Sequence, residues 1–314
     1  RHKVRTGQEI IGAPVEYLPG DGTGIAAGQA SHDGIQMAAH GPRLANVQAV
    51  GHRTVHGGSK FDRTVLIDDE VIQALVDLSP LAPLHNPPGI AGIKAAKTAL
   101  PDVPHYAIFD TAFFAHLPEE AYTYAIDRTV AKELSIRRYG FHGTSHNFVS
   151  HRMALFLGRH HDELKMIVCH LGNGASVSAI AGGKPIETSM GLTPLQGLVM
   201  GTRTGDIDPG VVAYLNRSGM SVPDIDNLLN KKSGMLGLCG KNDFRDIAAA
   251  IAAGDADAKL AFDVYIHRLV FYIGGYMALL GGLDAIAFTA GVGENDAAVR
   301  AAVCERLHTL GFHL

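Results

Sequence analysis

The sequence predicts a two-domain α/β protein, and three features carry that expectation. Its 314 residues are long enough for two ordinary domains, each with its own core. The middle of the chain reads as a β-meander that gives way to helices and then to one more strand with a glycine turn at its end. Glycine itself is the third feature: 37 of the 314 residues, against an average near ~7%. These glycines form no repeat. They cluster beside Arg, His, Asn and Thr, where a backbone must come close to a polyanion.

The first fifty residues are broken up by Pro14, Gly20, Gly22 and Gly24, and a short strand is expected at Val47–Val50, leading into the motif GHRTVHGG. A helix follows over Asp68–Leu78, with Asp68 or Asp69 at its start and Val71, Ile72, Leu75 and Leu78 on one face. Pro80–Pro88 reads as a proline-rich loop, and Ala107–Phe109 as a buried strand running into Asp110 and Thr111. The domain boundary is placed in Asp110–Ala115, giving domains 1–112 and 113–314. The meander comprises Met166–His170, Ser176–Ala181 and Pro185–Ser189, with Gly182-Gly183 as one of its turns. Helices are then expected at Val222–Lys231, Asp243–Ala253 and Asp255–Leu280. Ala285–Thr289 is the last strand; it opens into a glycine turn, AGVGEN, and Asp296–Leu310 is a helix.

Composition narrows the function classes. Hydrophobic residues make up 46% and charged residues 18%, ordinary for a folded globular chain. The net charge is −4 with no basic run, which speaks against a nucleic-acid partner. The apolar stretch Leu269–Leu283 is interrupted by four glycines. It is shorter than the ~20 residues a bilayer span needs, so no membrane partner is expected. Cys169, Cys239 and Cys304 are odd in number and far apart, which suits a reducing cytoplasm better than a disulfide framework.

The polar residues in the glycine motifs suggest a chemistry. An ionised carboxylic acid needs no strong base to accept a phosphoryl group. It needs cations, because two anions must meet and charge builds on the equatorial oxygens. Arginine serves through its permanent charge and forked donors. The candidate donors are Arg53, His85, His142, Asn173 and Arg203, and the best carboxylate for a Mg²⁺ ion is Asp110.

Eight motifs in order then carry a resemblance: GHRTVHGG (51–58), LAPLHNP (81–87), FDTAF (109–113), RRYGFHGTSH (137–146), HLGNGAS (170–176), TSMGLTPLQGLVMGTRTGDIDP (188–209), DFR (243–245) and FTAGVGEN (288–295). Together they resemble the acetate kinase family, from about residue 31 onward. That resemblance implies the two-domain, ribonuclease H-like fold of the actin, Hsp70 and sugar kinase superfamily, with ATP or ADP in the cleft. It implies reversible, Mg²⁺-dependent transfer between ATP and acetate or a similar small carboxylate, and a homodimer. A propionate or other short-chain acyl kinase and a catalytically silent ATP-binding fragment are the alternatives. The family's N-terminal strand and its C-terminal glutamate-bearing segment are not found within residues 1–314.

By that resemblance Arg53 and Arg203 bind the carboxylate and the transferring phosphoryl group, His142 donates to phosphoryl oxygens, and His85 assists. Asp110 acts through Mg²⁺ or a bound water. Val55, Leu84, Phe141 and Pro194 line a pocket for the acyl methyl. His170, Asn173 and the Gly172/Gly174 turn face the ATP phosphates, while Asp243, Phe244, Arg245, Gly291, Gly293 and Asn295 border the nucleotide. Plainer readings stand beside these. Val55, Leu84 and Phe141 fit an ordinary core, His56 and His146 fit as residues holding their loops, and Asp206 and Asp208 fit turn or capping duty. His52/His56 and His142/His146 have the spacing of a zinc helix, but they lack the adjacent glutamate, and the surrounding glycines oppose a helix. Phe114, Thr54, Glu187, Gln196 and Thr204 depart from the residues common in the family.

Overall fold

A computed structural model describes Ile10–Ile11 and residues 47–83 and 85–312. Leu84, one of the expected pocket residues, lies outside the described residues. The chain divides into two compact units, Val15–His116 and a larger one combining Arg1–Pro14 with Leu117–Leu314. The first strand, β1 (Ile10–Ile11), belongs to the larger unit.

The smaller unit holds β2 (Val50–Thr54), β3 (Val65–Leu66) and β4 (His105–Phe109) in the order β2-β4-β3, with β2 parallel and β3 antiparallel to β4. The first strand of this sheet was expected at Val47–Val50. It instead runs through the glycine motif itself, because the parallel register pairs Val50 through Thr54 with His105 through Phe109. Helix α1 (Asp69–Asp77) starts where its cap predicts: Asp68 accepts from the Val71 amide at 2.8 Å. Helix α2 (Asn86–Ala99) overlaps the expected proline loop. Pro87 and Pro88 sit in its first turn, where the missing N–H has no intrahelical partner to lose. Both helices bury their apolar faces on one core, Leu75, Ile90 and Ile93 closing over Ala107 and Phe109, and Phe61 stacks on Phe109 at 4.7 Å. Filling that core is what fixes the end of β4, and so the position of Asp110.

The larger unit begins with two short helices, α3 (Glu119–Tyr122) and α4 (Arg128–Glu133), and then α5 (Gly143–Leu157). Helix α5 corrects the expectation that glycine excludes a helix around His142 and His146. Gly143 is its first residue, where glycine costs little, and Gly158 closes it in the left-handed conformation. The meander follows as β5 (Lys165–Leu171), β6 (Ala175–Ala181) and β7 (Lys184–Thr188), close to its sequence reading. Strand β8 (Ala285–Thr289) pairs parallel with β5, and the sheet order is β1-β8-β5-β6-β7. Strands β5 and β6 are buried almost throughout, which explains their near-continuous apolar runs.

Between β7 and β8 lie α6 (Pro209–Arg217), α7 (Val222–Lys231), α8 (Gly234–Cys239), α9 (Phe244–Ala252) and α10 (Ala256–Leu280). Helix α10 packs on β5 and β6 and on α8 and α9, and its buried residues include Tyr265, Ile266, Leu269 and Ile273. Helix α5 packs against β5 and β8. The last helices are α11 (Ala290–Asn295) and α12 (Ala297–Arg306). The AGVGEN segment, expected as a turn, is therefore a short helix. It starts with a sharp bend at Ala290, whose φ is +65°, and its first groups are tied by Glu294, which accepts from Thr289 Oγ1 and the Ala290 amide, each at 3.0 Å. Among the described residues no helix is long and apolar enough to cross a membrane.

One glycine shows how closely the loops are fitted. Gly234, at φ +61°, begins α8, and a Cβ there would lie 2.1 Å from the Met200 carbonyl and 2.6 Å from that of Arg203. Gly234→Ala is expected to lower stability by about 2–5 kcal/mol, the sum of left-handed strain and backbone overlap. Urea unfolding of the variant and the parent measures it.

Candidate active site

In the larger unit the candidate residues gather at one end of the sheet. Because β5 and β8 run parallel, with His170 beside Thr289, their C-terminal ends lie together. The turn 172–174 and the start of α11 both project from that edge, the usual place for a ligand in an α/β sheet. The turn is tight: the Gly172 amide donates to the Gly174 carbonyl at 3.1 Å. A Cβ at Gly172 would lie 3.8 Å from that of Ala290.

Gly174 is where the donors converge. A Cβ on it would sit 3.4 Å from Arg203 Nη1 and 3.5 Å from His142 Nε2. Arg203 reaches that point from the loop between β7 and α6, and the loop is held at several backbone positions. The Gly201 amide donates to the Asn173 carbonyl at 2.9 Å, the Met200 amide to Arg203 at 3.1 Å and the Ser233 amide to Thr202 at 3.0 Å. Its guanidinium donates to the Pro194 carbonyl at 3.2 Å and approaches the Met200 sulfur at 3.8 Å. Among the described residues no carboxylate pairs with it. Burial lowers its pKa, the signature of a charge short of solvent and of a counter-ion. A half-buried arginine in that state is suited to an anion.

His142 caps α5 from the left-handed region, at φ +59°. Its ring stacks on His170 with centroids 4.2 Å apart, and its Nδ1 lies 2.9 Å from Ser176 Oγ. His170 is held in turn by Ser145, with Oγ 2.8 Å from Nδ1. His146, one helical turn after His142, is fully buried. Its Nε2 lies 2.7 Å from Ser176 Oγ and its Nδ1 2.7 Å from Ser178 Oγ. It is therefore a structural residue, as its alternative reading had it. Burial, then the neighbouring His170 and His142, drive its pKa well below the ordinary 6.5.

The remaining nucleotide-side candidates divide. Asn173 is pressed against Gly201, where a Cβ would fall 1.8 Å from its Oδ1, and it accepts from Asn242 at 3.4 Å. That contact brings the segment before α9 to the same edge. Asp243 caps α9 and accepts from Arg245 Nε at 3.0 Å and Nη2 at 2.5 Å, which holds its pKa down at about 2. Phe244, expected to border the nucleotide, is the first residue of α9. Its ring is buried edge-on to Tyr265 at 4.9 Å, because it is the first apolar residue of α9 and faces α10. Gly291 opens onto empty space, whereas Gly293 is packed on β8, 3.1 Å from Phe288 carbon for a built Cβ. Asn295 donates to the Gly291 carbonyl at 2.9 Å. Phe141 is buried at 1% exposure and Pro194 is half-buried. Asp206 and Asp208 have turn and capping duty: Asp206 accepts from the Gly197 amide and Tyr272 hydroxyl, and Asp208 caps α6.

In the smaller unit Arg53 lies on β2 and Asp110 just past β4. The guanidinium meets the carboxylate as a fork, Nε to Oδ1 at 2.9 Å and Nη2 to Oδ2 at 2.6 Å. Asp110 is buried, while the Arg53 side chain is 60% exposed. The hydrogen bonds it donates to Asp110 raise the Arg53 pKa above its ordinary value. Val55 and His85 are half-buried. His56 holds its loop: its Nδ1 accepts from the Gly58 amide at 3.0 Å, its amide donates to Asn86, and Asn86 donates back to its carbonyl. His52 meets His105 at 2.8 Å instead of joining His56. Among the described residues no group of three or more His, Cys, Asp or Glu could hold a metal. Asp110 supplies one hard carboxylate, which fits a Mg²⁺ ion that keeps most of its shell as water and phosphate oxygen.

The family model described as the acetokinase family matches residues 26–314. The chain belongs to the acetokinase family. It is 56% identical over 275 residues to the acetate kinase of Corynebacterium jeikeium (strain K411), covering 87% of this chain and 68% of that protein. Among solved structures, Porphyromonas gingivalis acetate kinase is 45% identical with a TM-score of 0.81, over 86% of this chain and 68% of that one. A propionate kinase from Francisella tularensis subsp. tularensis SCHU S4 is 46% identical with a TM-score of 0.83, over 85% and 70%. Entamoeba histolytica acetate kinase is 39% identical with a TM-score of 0.80, over 85% and 70%. Acetokinase membership makes the chain a kinase with the actin-like two-domain α/β fold and ATP or ADP as its nucleotide. Ser145, Ser176, Ser178 and Asn242 were missed in the sequence. Only the Ser-x-Ser alternation on β6 hinted that two hydroxyls share one face.

His146 gives the site a pH signature. A histidine whose folded pKa is depressed stabilises fully above its unfolded value of 6.5, and that contribution is lost as pH falls toward the lowered folded value. Chemical unfolding between about pH 7.5 and 5.5 is expected to show stability falling with acid, by at most ~1.4 kcal/mol per pH unit for this group. His146→Asn is expected to flatten that slope.

Proposed function

We propose that this kinase transfers a phosphoryl group reversibly between ATP and acetate, giving ADP and acetyl phosphate, by direct in-line displacement. The observation that carries the reading is Arg203, a half-buried guanidinium with no carboxylate partner among the described residues, converging with His142 on the bare backbone of Gly174. Two donors aimed at one point suit the equatorial oxygens of a phosphoryl group in flight, where charge is greatest. The acetate oxygen attacks phosphorus and the bond to the ADP oxygen breaks. No proton has to be removed, since the acid is already ionised at neutral pH.

Arg53 is the proposed carboxylate receptor. Its fork already holds one carboxylate, Asp110, in the bidentate geometry that acetate would need. Asp110 would also hold Mg²⁺, which when bound neutralises phosphate charge. The turn 172–174 would face the nucleotide phosphates, with Asp243, Arg245, Gly291 and Asn295 at its nucleoside side. The identity to acetate kinases at 39–56% supports acetate. The likeness to a propionate kinase at 46% identity keeps propionate as the second acceptor. A homodimer is also proposed. Phe271 and Leu279, each 62% exposed on α10, supply apolar surface for it, and light scattering tests it. Two buried cysteines and a third without a disulfide suit the cytoplasm.

Arg53→Ala and Arg203→Ala are each expected to lower kcat for acyl phosphate formation by about 10²–10³-fold, and Arg53→Ala also to lower stability, since it leaves the buried Asp110 unpaired. A hydroxamate assay reads the product, and undiminished turnover in both would sink the assigned roles. Val55→Ala is expected to improve kcat/KM for propionate relative to acetate by roughly 10-fold, the scale of one methylene. An unchanged ratio removes Val55 from the acyl pocket.

A further inference from the structure

His142 can donate a hydrogen bond to a phosphoryl oxygen only if its Nε2 carries a hydrogen, and the residues behind it determine that. Its other nitrogen, Nδ1, lies 2.9 Å from Ser176 Oγ. Ser176 Oγ also lies 2.7 Å from His146 Nε2, and His146 Nδ1 lies 2.7 Å from Ser178 Oγ. Ser176, Ser178 and His146 are all at 0% exposure, so water does not settle which way the hydrogens point.

Two arrangements are possible along this chain. In the first, Ser178 donates to His146 Nδ1, His146 Nε2–H donates to Ser176, and Ser176 donates to His142 Nδ1. Every hydrogen in the relay then has an acceptor, and His142 carries its own hydrogen on Nε2. In the second, every direction reverses. His142 Nδ1–H donates to Ser176, and at the far end the Ser178 hydroxyl only accepts. Among the described residues His146 Nδ1 is the one partner of Ser178 Oγ, so its hydrogen would be buried with no acceptor. Leaving a buried donor unmade costs about 1–3 kcal/mol, enough to set the direction.

We propose that Ser178, His146 and Ser176 form a buried hydrogen-bond relay that fixes His142 as the neutral tautomer with its hydrogen on Nε2. The imidazole then presents an N–H toward the Gly174 backbone, beside Arg203, without being protonated. Double protonation of His142 would require the relay to reverse. It is opposed also by the Arg203 guanidinium, which faces the ring from its loop; His170 from β5 and His146 from α5 are the other titratable rings near it. The three relay residues are positioning residues. The inference rests on the reading that His142 serves the phosphoryl group.

The test is a long-range ¹H–¹⁵N correlation spectrum of the ¹⁵N-labelled full chain at neutral pH, with His142 assigned by its loss in His142→Gln. The expected result is a pyrrole-type Nε2 and a pyridine-type Nδ1. A hydrogen on Nδ1, or on both nitrogens, overturns the relay. Ser178→Ala removes the donor that gives the chain its direction. It is expected to mix the two tautomers and to lower kcat several-fold, with KM for the carboxylate within about twofold, and Ser178→Thr is expected to restore both. A loss of kcat with the His142 spectrum unchanged overturns the proposal by reducing Ser178 to a packing role. If Ser178→Ala does not fold, the parent spectrum decides alone. Full turnover in His142→Gln with the Nε2–H tautomer present removes the phosphoryl role and leaves the relay standing.

Discussion

Arg203 and His142 approach the same few cubic ångströms above Gly174, and the larger unit is arranged to keep them there without an anion. Two donors held close together, one of them charged, repel each other and lose solvent. The burial-lowered pKa of Arg203 expresses the loss of solvent. The expense is met by backbone hydrogen bonds. The loop carrying Arg203 is fastened to the turn at Asn173, to α8 through Ser233, Met235 and Leu236, and to α7 through Leu229. Among the described residues the guanidinium has no carboxylate partner to relax toward. The site is thus organised before any ligand arrives, which is what electrostatic stabilisation of a transition state demands.

Arg53 is managed in the opposite way. Its fork is fully engaged by Asp110, so an anion binding there does so by exchange. The net affinity is then a difference between two similar bidentate contacts. As the proposed carboxylate receptor, Arg53 would then bind weakly and reversibly. It also keeps the buried Asp110 charge from standing alone, which would cost several kcal/mol.

Much of the fold was legible from pattern. Strand β8 and helix α7 fall where a short apolar run and apolar spacing place them, because in both the local signal and the tertiary demand coincide. The misses have a common cause. Helices α2 and α5 begin with Pro87, Pro88 and Gly143, residues that punctuate loops in general but are harmless in a first turn. Strand β2 was displaced because its pairing with β4 outweighed the glycine at its second position. For the site, the donors were legible as residues in glycine motifs. Their supports were not, since Ser176, Ser178 and His146 acquire their meaning only when a helix is laid on a strand. The contact of Phe244 with Tyr265 was likewise not legible, because its motif says nothing of which face of α9 meets α10.

That helix and strand have a dimensional relationship. His142 and His146 are four residues apart on or at the start of α5, a rise of about 6.0 Å. Ser176 and Ser178 are two apart on β6, a step of about 6.7 Å. The two rulers nearly agree, so a helix crossing a strand can bring successive rungs of each into register over a short span and then drift apart. Here the coincidence is used once, over a single turn, to join imidazoles with hydroxyls. An inserted or deleted residue on either ruler would rotate one set of rungs away by roughly a third of a turn or onto the opposite face. The chain therefore tolerates changes of side chain along these two elements far better than changes of length.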